Sequence, residues 1–133
     1  MKIKFDRSSF CAADDCVSHI EKKKLPSDMP ISELLKYTAT YVPLRKNSVW
    51  RITSNDSIVV FGYLITDSEG NTNIELSVEE TTIKNLSVKD VYCSYFSEGR
   101  FTYRNGKSGE LVEEYKECDS LLEKVKRSYE SFN

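Results

Sequence analysis

Two thiols, two adjacent carboxylates and the only histidine of the chain lie close together near its start, at Cys11, Asp14, Asp15, Cys16 and His19. Cysteine and histidine are typical zinc ligands, and loops carry many functional sites. A structural zinc site needs four ligands, whereas this stretch supplies two cysteines and one histidine. A metal or redox site in a small ligand-binding or regulatory domain is therefore the alternative hypothesis. The principal prediction is a protein with no bound metal and no cofactor.

The adjacent carboxylates Asp14 and Asp15 could serve catalysis or binding. Neighbouring residues on an extended loop point in different directions, so adjacency does not position a general acid and a general base. The sequence contains no nucleophile-elbow motif, and glycines total only 5. We therefore predict that the protein is not an enzyme and that this paired charge attracts a basic partner.

Length and composition narrow the class of protein. The chain has 133 residues, 39% of them hydrophobic and 30% charged, with a formal net charge of −2. These values predict a single globular domain over residues 1–133, with no overall attraction to nucleic acid. No apolar run is long enough for a secretion signal or a membrane span, so we expect a cytoplasmic protein with reduced cysteines that does not bind membranes.

The first half of the chain predicts a hairpin followed by a helix. Residues 2–6 alternate between charged and apolar side chains, and residues 17–24 are expected to return beside them as a second strand. Pro30 suits the first turn of a helix, and Pro43 marks the latest point at which that helix ends. The residues spaced to form its apolar face are Ile31, Leu34, Leu35 and Thr38.

The middle of the chain predicts an antiparallel meander. Residues 49–52, 58–65 and 73–79 are rich in β-branched and aromatic side chains or alternate in polarity, and turn-forming residues separate them. The run at 58–65 is apolar throughout, which places it inside the sheet with both faces covered. Residues 86–96 fit a helical face and a strand face, and we favour the helix. Residues 101–103 predict a brief strand.

A stripe of apolar residues at alternating spacings of four and three predicts a C-terminal helix: Leu111, Tyr115, Cys118, Leu122, Val125 and Tyr129. The helix begins near Gly109 or, if residues 111–115 form a strand, near Asp119. Together these elements predict one α+β domain, with an antiparallel sheet of about five strands. We expect the C-terminal helix to pack on the same sheet face as the first helix.

Acidic residues recur in three separate parts of the chain. We predict that they converge into a negative surface that binds a partner electrostatically, although the total charge is small. The predicted contact residues are Asp14, Asp15, Glu79, Glu80, Glu113 and Glu117. The sequence leaves the oligomeric state open.

The first 55 residues carry an ordered series of segments: Phe5-Asp6-Arg7, Cys11-Ala12-Ala13-Asp14-Asp15, Met29-Pro30-Ile31-Ser32-Glu33-Leu34-Leu35, Tyr41-Val42-Pro43 and Val49-Trp50-Arg51-Ile52. This organisation resembles small bacterial immunity proteins of contact-dependent inhibition and related polymorphic toxin systems. The resemblance implies a non-catalytic cytoplasmic inhibitor that binds one cognate toxin domain, for example a nuclease. Because nucleases tend to be basic, an acidic surface would complement such a toxin.

Overall fold

The computed structural model describes residues 1–8, 19–97 and 121–132, with side chains as far as residue 127. These residues form a single α+β domain, a mixed sheet of six strands with two helices. In chain order the elements are β1 (Lys2–Arg7), β2 (Glu21–Lys24), α1 (Ile31–Tyr41), β3 (Ser48–Ser54), β4 (Val60–Thr66), β5 (Thr72–Leu76), β6 (Asp90–Ser97) and α2 (Leu121–Phe132).

The strands lie in the order β2-β1-β6-β3-β4-β5. The predicted hairpin is confirmed, since β1 pairs with β2 antiparallel, and so is the meander of β3, β4 and β5. The sheet has six strands where about five were predicted, because β6 inserts between the hairpin and the meander. It runs parallel to β1 and antiparallel to β3, which makes the sheet mixed.

The predicted helix over residues 86–96 is wrong, because residues Asp90–Ser97 form the interior strand β6. Val91 and Cys93 are buried on one sheet face, and Phe96 is buried on the other. A strand covered on both faces carries apolar residues on both, so polar and apolar residues do not alternate cleanly along it. The spacing of its apolar residues then resembles that of a helix face. Pairing with β1 and β3 makes this segment a strand.

Helix α1 forms where the sequence predicts it and buries the predicted face of Ile31, Leu34, Leu35 and Thr38. It begins after Pro30 and ends at Tyr41, where the amide of Val42 donates to the carbonyl of Thr38. The face packs on Trp50, Ile52 and Leu64 of the sheet in the larger of two apolar clusters.

Helix α2 packs on the opposite face of the sheet, which corrects the prediction that both helices share one face. Leu121 and Val125 cluster with Val49, Tyr63 and Phe96. Val49 and Trp50 are adjacent in β3 and therefore point to opposite faces. The predicted strand at 101–103 and the start of the helix near Gly109 or Asp119 lie outside the described residues.

Candidate functional site

An open pocket of about 410 Å³ lies at one end of the sheet, where β3 and β4 join and β6 begins. Its walls come from the β3–β4 turn and from the loop that leads into β6. The lining residues are Ser54, Asn55, Asp56, Val59, Phe61, Leu86, Ser87, Val88, Lys89 and Asp90. Phe61 and Val88 are buried members of the apolar cluster beneath α1, so the floor of the pocket is an extension of that core.

The β3–β4 turn is held by a dense set of hydrogen bonds. The Ser54 hydroxyl donates to the Asp56 carboxylate at 2.5 Å, and the Ile58 amide donates to the same carboxylate at 3.2 Å. The Ser57 amide donates to the carbonyl of Ser54, and the Val59 amide donates to the Ser54 hydroxyl. The hydrogen bonds from the Ser54 hydroxyl and the Ile58 amide hold the pKa of the Asp56 carboxyl below its usual range.

The opposite wall is fixed in the same way. Leu86 and Val88 donate their amides to the carbonyls of Thr82 and Ile83, and Ser87 donates to that of Lys84. Ser57 and Ser87 both adopt left-handed backbone conformations, with φ of 60° and 53°. Such conformations are uncommon for residues other than glycine and persist only where the surrounding structure holds them. The pocket therefore lies between two constrained turns.

Three apolar side chains on the turns beside the pocket are exposed to solvent: Val59 and Leu86 line the pocket, and Ile58 directly precedes Val59 in the chain. Ile58 is 73% exposed, Leu86 38% and Val59 37%. The charged groups that line the pocket beside them are Asp56, Asp90 and Lys89. An apolar rim with a few charges around it suits a protein surface that buries an apolar side chain and pairs with a basic group.

The structure places two of the predicted contact residues outside this pocket. Glu79 and Glu80 are exposed and lie between β5 and β6. The Glu80 carboxylate accepts a hydrogen bond from the Ser32 amide at 3.1 Å, at the beginning of α1. Hydrogen bonds from Ser32 hold the pKa of the Glu80 carboxyl below its usual range. Because Pro30 makes no side-chain cap, Glu80 supplies one from a distant part of the chain.

The other predicted contacts, Asp14, Asp15, Glu113 and Glu117, lie outside the described residues, and so do Cys11, Cys16 and Cys118. The predicted convergence of the acids therefore stays a prediction. Of the proposed Cys-His site only His19 is described, and its carbonyl accepts a hydrogen bond from the Tyr41 hydroxyl. Within residues 1–8, 19–97 and 121–132 no group of three or more histidine, cysteine or acidic side chains is arranged to hold a metal ion.

Cys93 is a buried thiol in the interior strand β6. Burial, with a smaller contribution from the nearby Asp6 carboxylate, raises the pKa of the thiol far above its usual range. The nucleophile and metal ligand is the thiolate, so this cysteine is an inert packing residue at neutral pH. Burial likewise raises the pKa of the neighbouring Tyr41 hydroxyl.

Sequence reasoning missed the apolar rim. The strand that the sequence predicts over 58–65 includes Ile58 and Val59, whereas β4 begins at Val60. Leu86 was assigned to a helix instead of a loop.

Among the described parts of the chain, no helix is both long enough and apolar enough to cross a membrane. Comparison of the chain with protein-family models, curated proteins and solved structures finds no significant match.

Proposed function

We propose that this protein is a bacterial immunity protein that binds a cognate toxin domain in the cytoplasm and neutralises it without catalysis. The pocket between the β3–β4 turn and the β6 loop is the proposed contact surface. The resemblance of residues 1–55 to immunity proteins motivates the class of function, and the exposed apolar rim supports binding to a protein.

The observation that carries the proposal is the exposure of Ile58, at 73%, on a turn fixed by its own hydrogen bonds. Exposing an isoleucine to water forgoes roughly 1.5–3 kcal/mol of burial free energy. Because hydrogen bonds already order the backbone of the turn, less conformational entropy is lost when Ile58 is buried by a partner, which favours its use as an anchor. Val59 and Leu86, which line the pocket, are exposed as well.

The charges around the pocket favour a basic partner. Two carboxylates, Asp56 and Asp90, line the pocket against one lysine, Lys89. The proposed toxin surface therefore presents an apolar side chain flanked by arginine or lysine. Asp14 and Asp15 would add long-range attraction in the same proposal, and their role is to raise the association rate.

The first experiment identifies the toxin and then tests the surface. A tagged form of the full chain should recover, from the native bacterium and near one-to-one, the C-terminal domain of one large exported protein identified by mass spectrometry. Co-expression of the chain with that domain should restore growth to cells that the domain alone kills.

Two variants with the same chemical change then locate the contact. Ile58→Asp should weaken binding by about thirtyfold or more, which corresponds to about 2 kcal/mol, and should abolish protection. Leu44→Asp is the matched control, because Leu44 is 41% exposed and precedes β3 at the other end of the sheet. Equal binding by Ile58→Asp and the wild type would remove the β3–β4 turn from the proposed contact surface, and recovery of no toxin domain would remove the immunity function.

A further inference from the structure

Four lysines form a two-by-two array on one sheet face, at the edge where β1 and β2 pair. Lys2 lies directly opposite Lys24, and Lys4 lies opposite Lys22. Ile3, between the two lysines of β1, is buried beneath α1, so alternation places the four lysines on the other face. Like charges directly opposite each other destabilise a sheet, so stability alone does not favour this arrangement.

The hydrogen-bond pattern shows which main-chain groups face the outer edge of β2, which is open in the sense that no other described strand pairs with it. Met1 and Leu25 exchange both of their hydrogen bonds, at 2.6 and 2.7 Å, so they form a hydrogen-bonded pair. Such pairs alternate along an antiparallel ladder, which makes Lys2–Lys24 and Lys4–Lys22 the non-hydrogen-bonded pairs. The amide of Lys4 donates to the carbonyl of Lys89 in the segment leading into β6, which confirms this alternation.

Two consequences follow for β2. Side chains of non-hydrogen-bonded pairs start closest together across a ladder, so the facing lysines leave the backbone at the shortest spacing that the sheet allows. The main-chain N–H and C=O groups of Lys22 and Lys24 point away from β1, towards the open edge. A strand that added to this edge would therefore bond to the main chain of the same two residues that carry the lysine charges.

The charge around the array is confined to a narrow strip. Lys23 points to the other face and forms an ion pair with Glu21 at 3.6 Å. Over the described parts of the chain, none of the four lysines of the array takes part in an ion pair. Asp6 and Asp90 lie on the same face at its inner side, where Asp90 is opposite Lys4. The positive strip is thus two strands wide.

We infer that the open edge of β2 binds an extended acidic segment of a partner protein, which adds as a seventh strand with carboxylates opposite Lys22 and Lys24. Side chains two residues apart share a face, so the segment carries acids at alternate positions. Lysines on an edge repel a second copy of the same edge and disfavour apolar strands, which leaves acidic strands as the matching class. Nucleic acid fits less well, because Asp6 and Asp90 border the strip.

This inference concerns a surface other than the pocket and does not depend on the toxin proposal. Its probe is a short fluorescein-labelled peptide of alternating threonine and glutamate, followed by fluorescence anisotropy at low salt. A peptide of the same composition with its glutamates grouped at one end is the charge-matched control peptide. We expect the alternating peptide to bind about tenfold more tightly than the grouped one.

Charge reversal tests the lysines. The double variant Lys22→Glu, Lys24→Glu should lose about tenfold or more in affinity for the alternating glutamate peptide and should gain binding to an alternating threonine-lysine peptide. The variant should unfold at or above the wild-type temperature, because it converts two like-charge pairs into opposite-charge pairs. The double variant Lys23→Glu, Lys84→Glu makes the same change in net charge at exposed lysines outside the array and should keep wild-type affinity.

Amide hydrogen exchange tests the strand. On addition of the alternating peptide, the amides of Lys22 and Lys24 should exchange more slowly, while that of Lys23, already bonded to β1, should change little. Protection at Lys22 and Lys24 together with the charge-swap rescue would establish strand addition. Equal binding of the grouped peptide or of a short oligothymidylate, without this protection, would show a general polyanion patch and overturn the inference.

Discussion

The two faces of the sheet are held by different forces. On the α1 face, Leu34 and Leu35 of the helix are fully buried against Trp50 and Leu64 in a large apolar cluster. Among the side chains that the structure describes, the apolar cluster on the α2 face is smaller, and charged side chains add to the contact. Lys126 pairs with the Glu75 carboxylate at 2.5 Å.

A second charged group on the α2 face joins the sheet to the helix. The Arg51 guanidinium donates to the carbonyl of Val125 at 3.5 Å and lies 4.9 Å from the centre of the Phe96 ring. Lys126 also lies 5.7 Å from the centre of the Tyr63 ring. Helix α1 is therefore held by close apolar packing, whereas α2 is held partly by electrostatic interactions that salt can screen.

Gly62 shows how closely α1 approaches the sheet. A Cβ atom at this position would lie 2.3 Å from the carbonyl oxygen of Glu75 and 2.7 Å from the Leu35 side chain. A glycine is required there because any side chain would push the helix or β5 away. The α1 face therefore tolerates neither added nor removed volume.

The largest expected effect comes from making the same truncation on both faces. Leu35→Ala should lower the free energy of unfolding by about 2–5 kcal/mol, because it leaves a cavity in fully buried packing. Leu121→Ala, at the beginning of α2 and 8% exposed, should lower it by about 2 kcal/mol or less. Urea denaturation followed by tryptophan fluorescence measures both.

Trp50 makes this readout informative, since it is fully buried on the α1 face and donates its indole N–H to the carbonyl of Pro43 at 2.9 Å. Both variants should keep the wild-type m-value, which shows that the same cooperative unit unfolds. Equal losses for the two leucines would contradict the proposed difference between the faces.

The α1 face is the part of the fold that sequence reasoning predicted well. Ile31, Leu34, Leu35 and Thr38 repeat with helical spacing and point to one continuous apolar surface, so local pattern and tertiary packing agree. The β1–β2 hairpin and the meander are equally local, because each strand pairs with its neighbour in sequence. Such elements require no knowledge of distant contacts.

The errors arose where pairing is non-local. Strand β6 lies between β1 and β3, which are distant from it in sequence, and its two buried faces hide the alternation of a strand. The face on which α2 packs is likewise set by tertiary contacts, which local sequence patterns do not reveal. In the candidate site, the sequence predicts Glu80 as a partner contact but gives no sign that it caps α1 across a separation of 48 residues. The apolar rim depends on where β4 begins, and strand boundaries are poorly fixed by sequence.

A smaller effect tests whether charge holds α2. Lys126→Met should lower the free energy of unfolding by roughly 0–1 kcal/mol at low salt, because the pair with Glu75 is partly exposed. The difference from the wild type should shrink in 1 M salt, where the Debye length falls to about 3 Å. Thermal denaturation at the two salt concentrations measures it.

Lys36→Met is the matched control on the other helix. It removes the exposed pair with Glu33, at 3.2 Å within α1, and should change stability by no more than about 0.5 kcal/mol. A salt response of Lys126→Met identical to that of the wild type would show that the apolar cluster alone holds α2.

The smallest expected effect concerns Glu80. Among the described residues, its carboxylate is the one charged group outside α1 that contacts the helix. Glu80 accepts from the Ser32 amide, and its lowered pKa means that the ionised form is favoured in the folded protein. A depressed folded pKa contributes stability above the unfolded value, near 4.5, and that stability is lost as the pH falls through the folded value. Glu80→Gln should therefore flatten the acid limb of the stability curve.

At neutral pH Glu80→Gln should change the melting temperature only slightly, because the amide oxygen of glutamine still accepts the hydrogen bond from Ser32. Glu79→Gln, at the neighbouring exposed position, should keep the wild-type acid limb. Thermal melts from pH 7 to pH 3 compare the two variants. If both show the wild-type loss of stability on acidification, Glu80 does not hold α1 through its charge, and the α1 face then depends on shape alone.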